Sequence, residues 1–207
     1  MKILSISPLH LPDVKVVRVE RFVDERGYFT EIMRESHLTS RPELSCIRGK
    51  HFQQANESVS SAGTIRGLHI QVNPNLDKYL RLISGHIIDL ALDIRQNSPT
   101  FGQICTYELK SDPDAAYEDM LLIPFGFAHG IAVIEDCRVQ YFQTGDWNGD
   151  GEASISPHSP EIDWSGVDPV HRSVFESLSK NPKMSEKDKM GISLSQWATH
   201  RLAPFVQ

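Results

Sequence analysis

Three cysteines in 207 residues, Cys46, Cys105 and Cys137, are too few and too scattered for a disulfide framework, and no CxxC pair suggests a zinc ribbon. A reducing cytoplasm is the expected location. No apolar run is long enough to span a bilayer. The opening stretch MKILSISPLHLPDVKVV is interrupted by Pro8, His10, Pro12 and Asp13 and does not read as a signal peptide. Basic residues are in deficit: 21 Lys and Arg face 27 Asp and Glu, a formal charge of −6. That balance argues against nucleic acid or an anionic membrane as partner, while leaving room for a local basic pocket that takes an anionic ligand. Internal repeats and low-complexity tracts are absent. So is any helical stripe of useful length before residue 170, and with it the βαβ alternation of a parallel α/β sheet.

What the chain does have is strand. VKVVRVERF, IRGLHIQ, KYLRLISGHIIDLALDIR, CTYELK, MLLIPFGFAHGIAVI and CRVQYFQT are short runs of β-branched and aromatic residues. DERG, NPNLD, QNSPTFG, SDPDA, GDWNGDG and SPHSPE separate them as turns. Ile88, Leu90, Leu92 and Ile94 alternate with Asp89, Ala91 and Asp93, the pattern of a half-buried strand. Short helices are expected at EIMRESHL, at SVFESLS and within SEKDKMGISLSQWATH. The expected architecture is all-β, a sandwich or jelly-roll barrel over about 15–165 with short flanking helices. A more polar C-terminal tail, about 166–207, packs against it, and 1–207 form a single domain. With 40% hydrophobic and 23% charged residues, the chain is long enough to bury a sizeable core.

One strand carries unusual chemistry. TIRGLHIQ (64–71) holds an arginine, a glycine and a histidine within four residues. Arg66 and His69 are three apart and would face opposite ways in a regular strand; Gly67 permits a bulge that turns both to one side. His129, in PFGFAHG, is a second histidine from another strand, open to a structural reading in which backbone groups satisfy it. A metal would need a third or fourth ligand, commonly a carboxylate, and the residues that follow His69 (Ile, Gln, Val, Asn, Pro, Asn) supply none. No metal and no cofactor are expected.

DERGYFTEI (24–32), FQQANESVS (52–60), GTIRGLHIQ (63–71), DKYLRLISGHIIDLALDIRQNSPTFG (77–102), IPFGFAHGIAV (123–133), EIDW (161–164) and SEKD (185–188) occur in this order. Together they resemble the dTDP-4-dehydrorhamnose 3,5-epimerase family, whose members are cupin-type jelly rolls. The resemblance implies an epimerase of a nucleotide-linked 4-keto-6-deoxyhexose. A base strips the proton next to the C4 ketone and the enolate is reprotonated on its other face. It implies His69 as the base, a role suited to imidazole near neutral pH. Asp188 would orient that ring and Lys78, with Arg66 nearby, would stabilise the enolate oxygen. Arg26, Phe29, Glu31, Gln54, Asn56 and His129 match positions that line the nucleotide-sugar site, with Arg26 suited to a diphosphate. A homodimer is implied, in which ERFVDERGYFTEI is exchanged and carries Arg26 and Phe29 into the partner's pocket.

One departure stands out. The family has a proton-donating tyrosine shortly after the strand matched by VQYFQT, and here QTGDWNGDGE places Trp147 there, preceded by Asp146. Indole is no substitute for a phenol as an acid. The expectation is therefore inversion at C3 only, with water, Asp146 or another residue as donor and Trp147 as a sugar-stacking aromatic. Competing readings are a 3,5-double epimerase, a sugar-nucleotide ketoisomerase, a non-catalytic nucleotide-sugar-binding cupin and a metal-dependent cupin oxygenase.

Overall fold

The alternating runs resolve into eleven strands in a computed structural model that describes all 207 residues. They are β1 (Ile3–Pro8), β2 (Lys15–Glu20), β3 (Phe22–Asp24), β4 (Gly27–Phe29), β5 (Gln54–Ser60), β6 (Ile65–Gln71), β7 (Lys78–Asp93), β8 (Ile104–Lys110), β9 (Tyr117–Ile123), β10 (Phe127–Gln143) and β11 (Glu152–Ser154). Nine of them hydrogen-bond in the order β1-β2-β9-β7-β10-β6-β11, with β5 added to β10 and β8 to β7. The β3–β4 hairpin forms a separate two-stranded sheet.

Two long strands make the barrel. The first half of β10, Phe127 to Val133, pairs with Asp93 to Ile87 of β7 on one side and with β6 on the other. Its second half, Val139 to Gln143, pairs with Leu82 to Lys78 of β7 and with β5. Each strand thus passes from one layer to the other, as a jelly roll requires. The corner is at Gly85, with φ +96°, where an added Cβ would lie 2.2 Å from the Asp136 carbonyl oxygen. Only a residue without a side chain allows the two strands to cross so closely there.

The sequence expectation drew different boundaries here. MLLIPFGFAHGIAVI is two strands, parted by a turn at Pro124–Gly126, where Gly126 has φ +100°. CRVQYFQT is not separate but continues β10, because the polar Glu135 and Asp136 bend the ladder without ending it. β1 and β5, with their mixed polar patterns, went unread as strands.

Apolar residues sort into three clusters. Leu80, Leu82, Ile87, Ile131, Val133 and Val139 point into the barrel with Leu121 and Phe127. On the outside of one layer, Val17, Val19, Met120 and Leu122 are covered by Leu38 of α1 (Glu35–Thr39) and by Leu44 and Ile47 of a 3-10 turn. On the outside of the other, Ile88, Leu90, Leu92 and Ile94 pack under the C-terminal segment. That segment contains α2 (Pro169–Leu178), α3 (Glu186–Lys189) and α4 (Leu194–Trp197). It contributes Phe175, Leu194, Trp197, Leu202 and Val206. The half-buried reading of 88–94 is corrected by this: β7 is buried on both faces from Ile87 to Asp93, because the tail covers the Ile88–Ile94 side while the side that alternation assigned to solvent, with Ile87 and Ala91, turns into the barrel interior. No helix is long and apolar enough to cross a membrane.

Trp197 is fully buried and its indole N–H donates to the Ile94 carbonyl at 3.0 Å. Trp197→Ala should lower the unfolding free energy by about 3–5 kcal/mol in urea titration, the usual cost of emptying a large aromatic site; a loss below about 1 kcal/mol would show that the tail does not close the core.

Candidate active site

The site is built on the close approach of β6 and β10. His69 lies opposite His129, and Arg66 lies opposite Ile131. Three steps along β6 therefore match two along β10, so β6 carries one extra residue at Gly67. Gly67 has φ +103°, and a Cβ there would fall 2.6 Å from the His129 carbonyl oxygen; one on Gly130 would fall 2.3 Å from that of Arg66. The bulge turns Arg66 and His69 to the same side, while Ile65, Leu68 and Ile70 remain in the outer core.

Both face a cavity of about 370 Å³ at the open end of the barrel. β7 contributes Lys78 and Leu80, and β10 contributes His129, Ile131, Val139 and Tyr141. Ser58 from β5, Trp147 from the turn after β10, Glu152 from β11 and Lys187 from α3 complete the wall.

His69 Nε2 lies 2.6 Å from Asp188 Oδ1, bridging β6 to the C-terminal segment; the imidazole side chain is 30% exposed and the carboxylate 4%. Burial works against the charge of Asp188. Even so, the hydrogen bond and charge of His69, the Ser185 hydroxyl and the Gly67 amide together hold it below the usual carboxylate range. An ionised carboxylate only accepts, so the Nε2 proton of His69 points to Asp188 and a neutral ring keeps its lone pair on Nδ1.

His129 makes the same kind of pair, Nε2 to Asp89 Oδ2 at 2.8 Å. Burial dominates there and lowers its pKa despite Asp89, with Lys78 and His69 adding to the effect, so the ring is held neutral. This replaces the reading in which backbone groups satisfy His129. Each imidazole has its own carboxylate, and no three His, Cys, Asp or Glu side chains converge as a metal set.

Lys78 is pushed down to about 8, first by burial and then by Lys187, with Glu152 and Asp89 pulling the other way. Tyr141 is raised, mainly by burial and then by Glu152, with Arg66 opposing, so its phenol stays protonated at neutral pH. Arg66 is held by the Ser60 hydroxyl at 2.7 Å and the Val59 carbonyl at 3.1 Å. Glu152 accepts from Lys187 and, at 3.3 Å, from the Trp147 indole N–H.

The remaining expected residues lie elsewhere. Gln54 is hydrogen-bonded to Asn56 at 2.8 Å and accepts the Trp147 backbone N–H at 2.8 Å, so these two support the rim rather than line the cavity. Arg26 is 85% exposed at the tip of the β3–β4 hairpin, paired with Asp24 at 2.6 Å. Phe29 is 70% exposed and stacked on Phe22, and Glu31 pairs with Arg34 and the N-terminal amine. None of these three reaches the cavity of its own chain. Asp146 also stays outside it, offering only its backbone carbonyl, to Gln71.

The cavity corrects the expected absence of a tyrosine. A phenol does face it, from Tyr141 on the strand itself rather than from the turn beyond. Trp147 occupies the rim, 62% exposed. The signal for Tyr141 was in the sequence: Val139 and Tyr141 continue the inward alternation that Ile131 and Val133 begin. Lys187 was readable as the neighbour of Asp188. Glu152 had no local signal, since only the short β11–β6 pairing carries it inward.

Comparison with known proteins follows the same lines. The family model for dTDP-4-dehydrorhamnose 3,5-epimerase matches residues 8–196. The dTDP-4-dehydrorhamnose 3,5-epimerase of Pseudomonas aeruginosa is 33% identical over 191 residues, covering 91% of this chain and 94% of that protein. That of Shigella flexneri is 33% identical over 192 residues, with 91% and 94% covered. Among solved structures, the dTDP-6-deoxy-D-glucose-3,5-epimerase of Legionella pneumophila, in complex with dTDP-4-keto-L-rhamnose, superposes with a TM-score of 0.78 at 28% identity, covering 92% of this chain and 93% of that one.

The burial of Lys78 has a direct readout. In protein whose lysines are reductively 13C-methylated, the signal that disappears in Lys78→Arg should titrate with a midpoint at about 8. The ammonium is the form below that pH and the amine the form above it. A midpoint near the ordinary 10.5 would show the group to be solvated.

Proposed function

The chain belongs to the dTDP-4-dehydrorhamnose 3,5-epimerase family, an isomerase family, and we propose that it acts on a dTDP-linked 4-keto-6-deoxyhexose and inverts C3 by proton exchange beside the ketone. The observation that carries this reading is the presence, in one cavity, of a carboxylate-held imidazole, a protonated phenol and a lysine.

The residues divide the work by their chemistry. His69, through the Nδ1 that Asp188 leaves free, takes the C3 proton; Asp188 fixes the ring and stabilises the imidazolium that forms. The C4 oxygen gains negative charge as the enolate develops, and the Lys78 ammonium in a dry cavity stabilises it. Tyr141 delivers its proton to the opposite face of C3. His129, kept neutral, adds a hydrogen-bonding wall without a second charge. Arg66 and Lys187 at the mouth are placed for the diphosphate, and the exposed Trp147 ring gives the base or sugar a stacking surface.

The Trp147 departure argues for C3 alone only if the site lacks a phenol. Tyr141 removes that reason. What favours C3 is the substrate: C5 carries a methyl group, which is bulky and lowers the acidity of its hydrogen. The ring must also turn to bring C5 to the same base.

The hairpin supports a homodimer. Phe22, Val23, Tyr28 and Phe29 are all exposed on a two-stranded unit that pairs with nothing else in the chain. A second copy that receives it gains Arg26 and Phe29 at its own nucleotide site. Three free thiols fit a reducing cytoplasm.

Incubation with dTDP-4-keto-6-deoxyglucose in D2O, followed by NMR, should show deuterium entering C3 and much less entering C5. His69→Ala should reduce deuterium entry at C3, and Tyr141→Phe the inversion of C3, each by about 10²–10⁴-fold, the range of a positioned base or acid. Exchange at C5 as fast as at C3 would assign double inversion, and undiminished C3 inversion in Tyr141→Phe would remove that residue as donor.

A further inference from the structure

Among the side chains that line the cavity, Glu152 carries the only carboxylate, beside Arg66, Lys78, Lys187 and two imidazoles. It repels the diphosphate and the enolate that the cavity is read to receive, and a partner for Lys187 alone could stand outside. β11 pairs Ser154 with His69 and Glu152 with Gln71, so alternation turns Glu152 to the face of β6 that carries His69. Its Oε2 accepts from both the Lys187 ammonium and, at 3.3 Å, the Trp147 indole N–H, while its Oε1 has no bonded partner. Two elements of the rim thus grip one oxygen of a carboxylate that is 15% exposed. Lys78, by contrast, is held by no hydrogen bond or ion pair. The charged and titratable groups around it are Asp89 on its own strand, His129 and Tyr141 on β10, Arg66 and His69 on β6, Lys187 on α3 and Glu152 on β11. Asp89 is already bonded to His129. Of the influences that favour the Lys78 ammonium, Glu152 comes first and Asp89 second, against burial and Lys187.

We infer that Glu152 is the counter-charge of Lys78 and a positioning residue for the enolate step: gripped from the rim by Lys187 and Trp147, it supports the ammonium at the C4 oxygen without bonding to it. The inference rests on the reaction proposed above. A carboxylate bonded to Lys78 would occupy the place of the C4 oxygen and satisfy the donors that the enolate needs. One held away from it by other donors acts only through its field, so the Lys78 N–H groups stay free for the sugar. Lys187 sets the strength of that field. Its own charge offsets part of Glu152, and when a diphosphate at the mouth draws Lys187 to itself, more of the carboxylate is felt at Lys78. Binding of the nucleotide handle and charging of the group that meets the ketone are thereby linked through one side chain.

The test reads Lys78 directly, without substrate. In 13C-methylated protein its titration midpoint should fall from about 8 to about 7 in Glu152→Gln, the scale of one lost neighbouring charge. Lys187→Met should move the midpoint the other way, and thermal unfolding of each variant checks folding. The ammonium is the working form, so a lower midpoint removes activity from the alkaline side. The drop in kcat/KM for deuterium entry at C3 between pH 6 and pH 8 should be about fivefold steeper in Glu152→Gln than in the native protein, a change of profile that a merely structural ion pair would not produce. A Lys78 midpoint unmoved or raised in folded Glu152→Gln, or not raised in folded Lys187→Met, would overturn the inference. Midpoints that move as expected in a protein that exchanges no deuterium into the sugar would leave the counter-charge standing and strike instead at the epimerase reading.

Discussion

One hydrogen bond ties the two halves of this molecule together: His69 Nε2 to Asp188 Oδ1, at 2.6 Å. The imidazole belongs to β6, inside the barrel wall. The carboxylate belongs to a four-residue helix in the tail, 119 positions later. Neither group is useful alone. Without Asp188, a histidine facing this cavity has no fixed tautomer; without His69, a carboxylate that is 4% exposed has lost its principal compensation for burial. The tail therefore has two tasks. Its apolar residues, Phe175, Leu194, Trp197 and Val206, seal the outside of one layer, and that seal fixes where α3 sits. Ser185 caps α3 by accepting the Asp188 backbone N–H at 3.1 Å, which sets the direction of the Asp188 side chain.

The barrel solves a harder problem, which is to hold several titratable groups beside an apolar core on the same strands. β7 and β10 do this by position along their length. Each runs through both layers, apolar where it crosses the interior and polar where it reaches the open end. Close crossing points permit the arrangement. Gly67, Gly85 and Gly130 sit where any side chain would collide with the backbone of a neighbouring strand. The bulge at Gly67 converts a spacing of three, which a flat strand would split between its faces, into two residues on one face.

Much of this was legible. β-branched runs and turn residues identified an all-β barrel with a packed tail, and the order of the motifs pointed to the family. The bulge at Gly67 was readable because glycine between an arginine and a histidine has few other uses in a strand. Three things were not legible, each for a physical reason. β5 carries Asn56, Glu57 and Ser58 on an edge with one neighbour, so its composition does not look like strand. The double burial of Ile87 to Asp93 depends on a tail whose own sequence is polar, and only the fold shows which of its faces is apolar. Tyr141 was overlooked because its expected place was counted along a turn, whereas strand alternation, which governs orientation, assigns it inward two residues after Val139.

The distribution of charge in the cavity says what kind of molecule it awaits. The protein is acidic overall, at −6, and most of the cationic or imidazole groups near the site already have an acidic partner: His69 has Asp188, His129 has Asp89, Lys187 has Glu152. Two do not. Arg66 is held only by a hydroxyl and a carbonyl, and Lys78 stands without a bonded carboxylate in surroundings that lower its pKa to about 8. Arg66 is exposed, but for Lys78 burial makes an unpaired charge costly, and a protein that seeks only stability would pair it or replace it. Its cost falls when an anion arrives. In the proposed reaction two anionic features arrive, a diphosphate at the mouth and an enolate oxygen beside the ketone carbon, and the two unpaired cations stand one at each place. The enolate exists only along the reaction path, so stabilisation withheld from the resting cavity is realised when the proton leaves the sugar, which is the condition for a cation to accelerate chemistry rather than simply tighten binding.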